Sequence, residues 1–151
     1  MKYFLILLTI TVCGIRVNAQ SPEDSVKTVI NKMFTAMKNA DAGGLKNCFA
    51  DSMILQTITR NKEGKLVVKN DNPGDFIEFI KKEVPGNADE RIVFDVVKVD
   101  GPLAIAWTPY HFSYKGQFSH CGVNSFQLVR FAGEWKIQYL IDTRRKLGCG
   151  Q

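Results

Sequence analysis

The stretch LAIAWTPYHFSYKGQFSHCGVNSFQLVRFAGEWKIQYLID, residues 103–142, reads as three strands joined by two tight turns. Aromatic and β-branched residues crowd each segment, and Lys115-Gly116 and Ala132-Gly133 separate them. Taken as two-residue hairpin turns, these dipeptides set a register. The first brings His111 opposite His120, Trp107 opposite Asn124 and Ile105 opposite Phe126. The second brings Leu128 opposite Ile137, Phe126 opposite Tyr139 and Asn124 opposite Ile141. Side chains alternate along a strand, so one face collects Leu103, Ile105, Trp107, Phe126, Leu128, Trp135, Ile137, Tyr139 and Ile141. The other carries Thr108, Ser119, Ser125, Gln127, Lys136, Gln138 and Asp142. The more apolar face is the expected core side. It also takes His120 and Asn124, with His111 beside them, and turns Cys121 the other way. A three-residue loop ending at Gly116 would move His111 outward and leave His120 and Asn124 in place.

Upstream, the period changes from two to that of a helix. Ser21-Pro22-Glu23-Asp24 supplies a capping serine, a proline at the first helical position and an early acid. Behind it Val26, Val29, Ile30, Met33, Phe34 and Met37 form one apolar stripe. Asp41 opens a shorter helix carrying Leu45, Cys48 and Phe49, which Gly43 and Gly44 weaken. Residues 53–59 and 65–69 read as a strand pair around Asn61-Lys62-Glu63-Gly64. Asn72-Pro73-Gly74-Asp75 repeats the helix-start chemistry, and Pro85 stops the helix that follows. Residues 91–99 read as one further strand. The order α-α-β-β-α-β-β-β-β predicts an α+β fold, a curved mixed or antiparallel sheet of about six strands with helices on one face.

This order, with WTPYHF at 107–112, FSHCGVNSFQLVRFAGEWKI at 118–137 and DTRRKLGC at 142–149, resembles the nuclear-transport-factor-two-like superfamily. That superfamily includes ketosteroid isomerase, scytalone dehydratase and the SnoaL-like proteins. The C-terminal motif is similar to its branch labelled lumazine-binding. The element order spans residues 20–151, expected as one domain, and the sharper motif about the last third. The resemblance implies a cone, its sheet wrapped round the first helix with a pocket between them. Curved sheets of this kind often dimerise through their outer face, which leaves a dimeric interaction module as a third reading beside a binding protein and an enzyme. Isomerases, dehydratases, hydrolases and plain binding proteins share this architecture, so the fold leaves function open.

The N-terminus reads as an export signal over residues 1–19. Lys2 precedes the apolar run Tyr3–Val12, and Val17-Asn18-Ala19 gives a cleavage site before Gln20. The expected location is periplasmic or secreted. The run is shorter than the roughly 20 residues of a membrane span. Acylation at Cys13 is the alternative, but Val12 occupies a position that should be small, so any relation to a membrane is peripheral at most. Net charge is +5 over the 151 residues, and Lys2 and Arg16 belong to the signal. Apart from Arg144-Arg145-Lys146 the basic residues are scattered without interleaved aromatics, which argues against nucleic acid. Cys48, Cys121 and Cys149 follow the signal. Oxidising surroundings favour one bridge, Cys121 with Cys149, because the C-terminal tail is free to fold back; three free thiols are the alternative.

His120 and Cys121 are adjacent on a strand and so project to opposite faces, which removes a nucleophile–base pair. Two histidines in the whole chain fall short of a three- or four-ligand metal set, and no metal or other cofactor is expected. Trp107, His111, His120, Asn124 and Tyr139 are the expected lining of an apolar pocket for a small apolar or aromatic molecule. The competing reading is an interior network whose polar groups satisfy one another. In an enzyme, His120 would serve as general acid/base, with Asn124 and Tyr139 orienting a carbonyl or hydroxyl for dehydration or isomerisation. The inward stripe of the first helix holds no acid or hydroxyl. Relatives of the ketosteroid isomerase kind rely on buried carboxylates, so the expected chamber is greasy, with an imidazole at one end.

Overall fold

The structure, a computed structural model, describes residues 21–149; the export signal and Cys13 lie outside them. Helix α1 (Pro22–Lys38) starts where Ser21 Oγ accepts from the Asp24 N–H at 3.0 Å. It buries Val26, Ile30, Met33, Phe34 and Met37 on one side. Helix α2 (Ala42–Cys48) is capped by Asp41, which accepts from the Gly44 N–H at 2.8 Å. Gly44 is required there, because a Cβ would collide with the Asp41 carboxylate. Helix α3 (Pro73–Lys81) starts on Asn72 in the same manner.

Seven strands follow this order: β1 (Phe49–Arg60), β2 (Leu66–Asp71), β3 (Ala88–Ile92), β4 (Val96–Asp100), β5 (Leu103–Tyr114), β6 (Gln117–Phe131) and β7 (Glu134–Thr143). The expected strand over 91–99 is thus two strands. Both pair with β5, β3 at its Tyr114 end and β4 at its Leu103 end. The sheet runs β2-β1-β7-β6-β5-β3, with β4 also on β5; β1 and β7 are parallel and the other pairs antiparallel. Helix α1 packs across β3, β4 and β7. The Phe34 ring meets Phe126 edge-on at 6.2 Å, and burying each such side chain contributes about 1.5–3 kcal/mol.

Both hairpins turn where expected. Lys115 and Gly116 have φ of 53° and 76°, Ala132 and Gly133 of 47° and 90°, as a two-residue primed turn needs. Tyr114 faces Gln117 and Phe131 faces Glu134. Each ladder then takes in one extra residue. Beyond Ser119, Phe112 faces His120, Thr108 faces Asn124 and Ala106 faces Phe126. Beyond Gln138, Gln127 faces Tyr139, Phe126 faces Leu140 and Asn124 faces Asp142. A bulge flips the alternation of one strand against its partner. On β6 the inward set stands as expected, with Asn124, Phe126 and Leu128 buried. On β5 the buried residues are Ala104, Ala106, Thr108 and Tyr110, while Leu103, Ile105 and Trp107 are exposed. On β7 the inward residues past the bulge are Leu140 and Asp142, not Tyr139 and Ile141. The expected core face was wrong for most of β5 and the end of β7.

Cys121 points away from α1 and is joined to Cys149 in a disulfide, with Cα atoms 5.9 Å apart. Cys48 is a buried free thiol.

Candidate functional site

Between α1, α3 and the inner sheet face lies a cavity of about 790 Å³. Met33, Phe34 and Met37 line it from α1, Phe76 and Phe79 from α3, and Leu55 and Leu140 from the sheet. The thioethers and rings give it adaptable apolar walls. Its polar groups come from two sides: Glu90, His120, Asn124, Asp142 and Arg144 from β3, β6 and the end of β7, and Lys69, Asp71, Asn72 and Asp75 from β2 and the start of α3.

The sheet register explains how they converge. Glu90 pairs with Phe112 on one side, and Phe112 pairs with His120 on the other. The three residues form one row across three strands, all turned toward the cavity. With strands about 4.8 Å apart, the Glu90 and His120 backbones stand roughly 10 Å from each other, with the Phe112 ring between. That ring lies 5.0 Å from the imidazole, and Tyr110 meets the imidazole edge-on at 5.7 Å. Ser119 Oγ lies 3.1 Å from His120 Nδ1. Across the row, Asn124 Nδ2 donates to Glu90 Oε1 at 2.7 Å.

These surroundings separate the protonation states of the two groups. Burial, reinforced by the Asp142 charge, pushes the Glu90 carboxyl up to about 8, although the Asn124 hydrogen bond and Arg144 pull the other way. Burial holds His120 below the usual histidine range; Arg144 and Lys146 add to this and Asp142 opposes it. At neutral pH the carboxyl therefore keeps its proton and the imidazole is uncharged.

Asp142 is the hub of a neighbouring network. Thr57 Oγ1 donates to its Oδ1 at 2.6 Å and Arg144 Nε to its Oδ2 at 2.8 Å. The Tyr110 hydroxyl lies 3.1 Å from the same Oδ2 and 2.9 Å from the Thr143 carbonyl. Arg144 Nη2 donates to Thr57 Oγ1 at 3.0 Å. Burial works against the Arg144 charge, but the hydrogen bond and charge of Asp142 outweigh it and leave the guanidinium more firmly protonated than usual. Burial first, then Asp142 and Glu90, raises the Tyr110 phenol. Asp142 is buried while the Arg144 side chain stays 48 % exposed, so the pair is charge-assisted and half-buried, with Thr57 and Tyr110 also engaging the carboxylate.

Of the residues expected to line the pocket, His120 and Asn124 do so. Trp107, His111 and Tyr139 do not, since the bulges put all three on the outer face. Trp107 is 44 % exposed against 4 % for Asn124. The His111 ring lies against Phe118 at 6.2 Å, and Tyr139 Oη donates to Gln56 Oε1 at 2.6 Å. The expectation of a cavity without acids is also corrected. Asp142 was assigned outward because the Gln138 bulge leaves no mark in the residue pattern. Glu90 fell one residue before the strand expected at 91–99. The Ala-Asp-Glu-Arg-Ile alternation at 88–92 was the available signal, though three consecutive charged residues interrupt its apolar pattern.

No protein-family model and no curated protein sequence matches this chain. Solved structures do. An NTF2-like protein of unknown function from Methylobacillus flagellatus KT superposes with a TM-score of 0.64 at 16 % identity, over 88 % of this chain and 100 % of that one. A domain of unknown function with a cystatin-like fold from Nostoc punctiforme gives 0.63 at 16 % identity, over 86 % and 82 %. A ketosteroid isomerase-like protein from Erwinia carotovora atroseptica gives 0.60 at 14 % identity, over 82 % and 96 %. At such identities the likeness concerns the path of the backbone. Two helices, a strand pair, a third helix and five further strands in one mixed sheet, with a cavity between α1 and the sheet, give this chain the nuclear-transport-factor-two-like fold.

Proposed function

We propose that the protein is an exported small-molecule-binding protein, and that its ligand has a flat, largely apolar body and one polar end. The N-terminal charge, apolar run and Val17-Asn18-Ala19 support export. The ligand reading rests on one observation, that Glu90, His120 and Asn124 converge in a cavity to which α1 contributes Met33, Phe34 and Met37 and the sheet Leu55 and Leu140. A protonated carboxyl can donate to a carbonyl or ring nitrogen, and a neutral imidazole can donate or accept. Native mass spectrometry of protein recovered from its own organism is expected to show a retained small molecule. Leu55→Trp, which grows into the cavity from a half-buried position, should abolish retention. Retention equal to the wild type would place the ligand elsewhere.

The row Glu90–Phe112–His120 favours a second reading, acid/base catalysis. His120 would take a proton from carbon while Glu90 gave its own proton to a departing hydroxyl, which leaves as water. Proton exchange with solvent would restore both groups.

The third reading, a homodimer, draws support from the outer face. Val96, Leu103, Ile105 and Trp107 are all exposed there on paired strands β4 and β5.

A further inference from the structure

The C-terminal segment runs from the cavity wall to the disulfide. Past the end of β7, Arg144 sends its guanidinium inward to Asp142 and Thr57. Arg145 then pairs with Cys121, each N–H donating to the other's carbonyl at 2.9 Å. Cys149 closes the segment onto the same residue, Cys121. Leu147 is 85 % exposed, and Arg145 Nε donates to the Gly148 carbonyl within the segment, at 3.2 Å. Cys121 is also the sequence neighbour of His120, so the bridge ties the Arg144 segment to the strand that carries the imidazole.

We propose that Cys121–Cys149 is a redox-addressable clamp on the cavity: while oxidised it holds the Arg144 guanidinium in the cavity wall, and a dithiol reductant releases that wall. This deepens the ligand-binding reading and rests on the cavity being the ligand site. The bridge is reachable from one end, since Cys149 is partly exposed and Cys121 is buried. A reductant thiolate attacks Cys149 Sγ, forming a mixed disulfide, and Cys121 departs as a thiolate that takes a proton. The second thiol of the reductant then displaces Cys149. The protein gains two electrons and two protons, and the dithiol becomes a disulfide. With residues 144–149 no longer tied covalently to β6, an exposed segment is left with the two main-chain hydrogen bonds of Arg145 and the Arg144 bonds to Asp142 and Thr57, and opens more often.

The test needs no ligand. Folded, oxidised protein is compared with the same protein in excess dithiothreitol, with Cys149→Ala, and with Arg144→Gln with the bridge intact. The groups facing His120 are Ser119, the Tyr110 and Phe112 rings, Arg144, Asp142 and Lys146. Losing Arg144 and Lys146 from that set raises the imidazole midpoint toward the ordinary value of about 6.5. The midpoint is followed by NMR and assigned in a His111→Gln background. Reduction and Cys149→Ala are expected to raise it and to speed amide exchange at Cys121 and Arg145 by roughly tenfold or more. Arg144→Gln is expected to raise it without faster exchange. If opening the bridge changes neither quantity, the clamp is overturned. Exchange that accelerates equally throughout α1 also overturns it, because the bridge would then be holding the whole fold. Affinity for the apolar-ringed anion 1-anilinonaphthalene-8-sulfonate is measured alongside. Absence of binding even to oxidised protein would count against the ligand reading while leaving the titration and exchange to decide the clamp.

Discussion

Glu90 Oε1 accepts a 2.7 Å hydrogen bond from Asn124 Nδ2, although the two residues lie on strands separated by β5. The contact reaches diagonally over the inner face and places a protonated carboxyl beside an amide at the polar end of the cavity. Burial, working against that hydrogen bond, makes Glu90 a reporter of the folded state. Its carboxyl moves from 4.5 to about 8 on folding, so the folded chain holds a proton that the unfolded chain releases. That contribution is complete below the unfolded value and is lost as pH rises through the folded one.

Glu90→Gln is therefore expected to flatten part of the pH dependence of stability. His120, whose value is lowered on folding, acts in the opposite sense and stays in both proteins. Urea midpoints measured between about pH 5 and 8 should fall more steeply for the wild type than for the variant. Parallel curves would mean that Glu90 is ionised in the fold at neutrality.

His120→Gln separates the two functional readings. Once a ligand or substrate is in hand, a binding protein should keep most of its affinity, because the amide retains hydrogen-bonding capacity. An acid/base enzyme should lose roughly 10²–10⁴-fold in turnover, and Glu90→Gln should also depress it. Turnover unchanged in both variants would remove the catalytic reading.

Gly122→Ala tests the geometry at the end of β7. A Cβ at Gly122 would collide with the Thr143 carbonyl and crowd the Tyr110 ring, 2.9 Å away. Backbone cannot yield there without moving Asp142 and Arg144. A loss of about 1–3 kcal/mol is expected from urea unfolding, with a perturbed His120 titration. An unchanged midpoint would show that the strands approach less closely than described.

Trp107→Ser distinguishes the two faces of the sheet. Its indole is exposed on the side away from the cavity, so ligand retention should persist. Association should weaken, read as a smaller mass by light scattering at high protein concentration. Loss of retention with unchanged mass would return Trp107 to the pocket.

Local chemistry carried a good part of this architecture. Ser21, Asp41 and Asn72 each announce a helix that forms, and both two-residue turns occur where Lys115-Gly116 and Ala132-Gly133 stand. The inward direction of His120 and Asn124 was legible because Phe126 and Leu128 share their period on the same strand. Trp107 misled because β5 is apolar on both faces. Its core side carries the small Ala104 and Ala106, which face the large Phe126 and Leu128, while its larger residues point out.

The residue pattern alone determined where helices and turns begin, the order of elements and the inner face of β6, because caps, primed turns and period-two burial depend on neighbours in sequence. Only the tertiary structure decided the composition of the cavity. Ser119 and Gln138 each interrupt a ladder, and a single extra residue reverses which side of a strand faces inward. Whether such a residue is accommodated depends on partner strands and on the helix the sheet encloses, which local preference does not encode. That is why Asp142 and Glu90 entered the site while Trp107, His111 and Tyr139 left it.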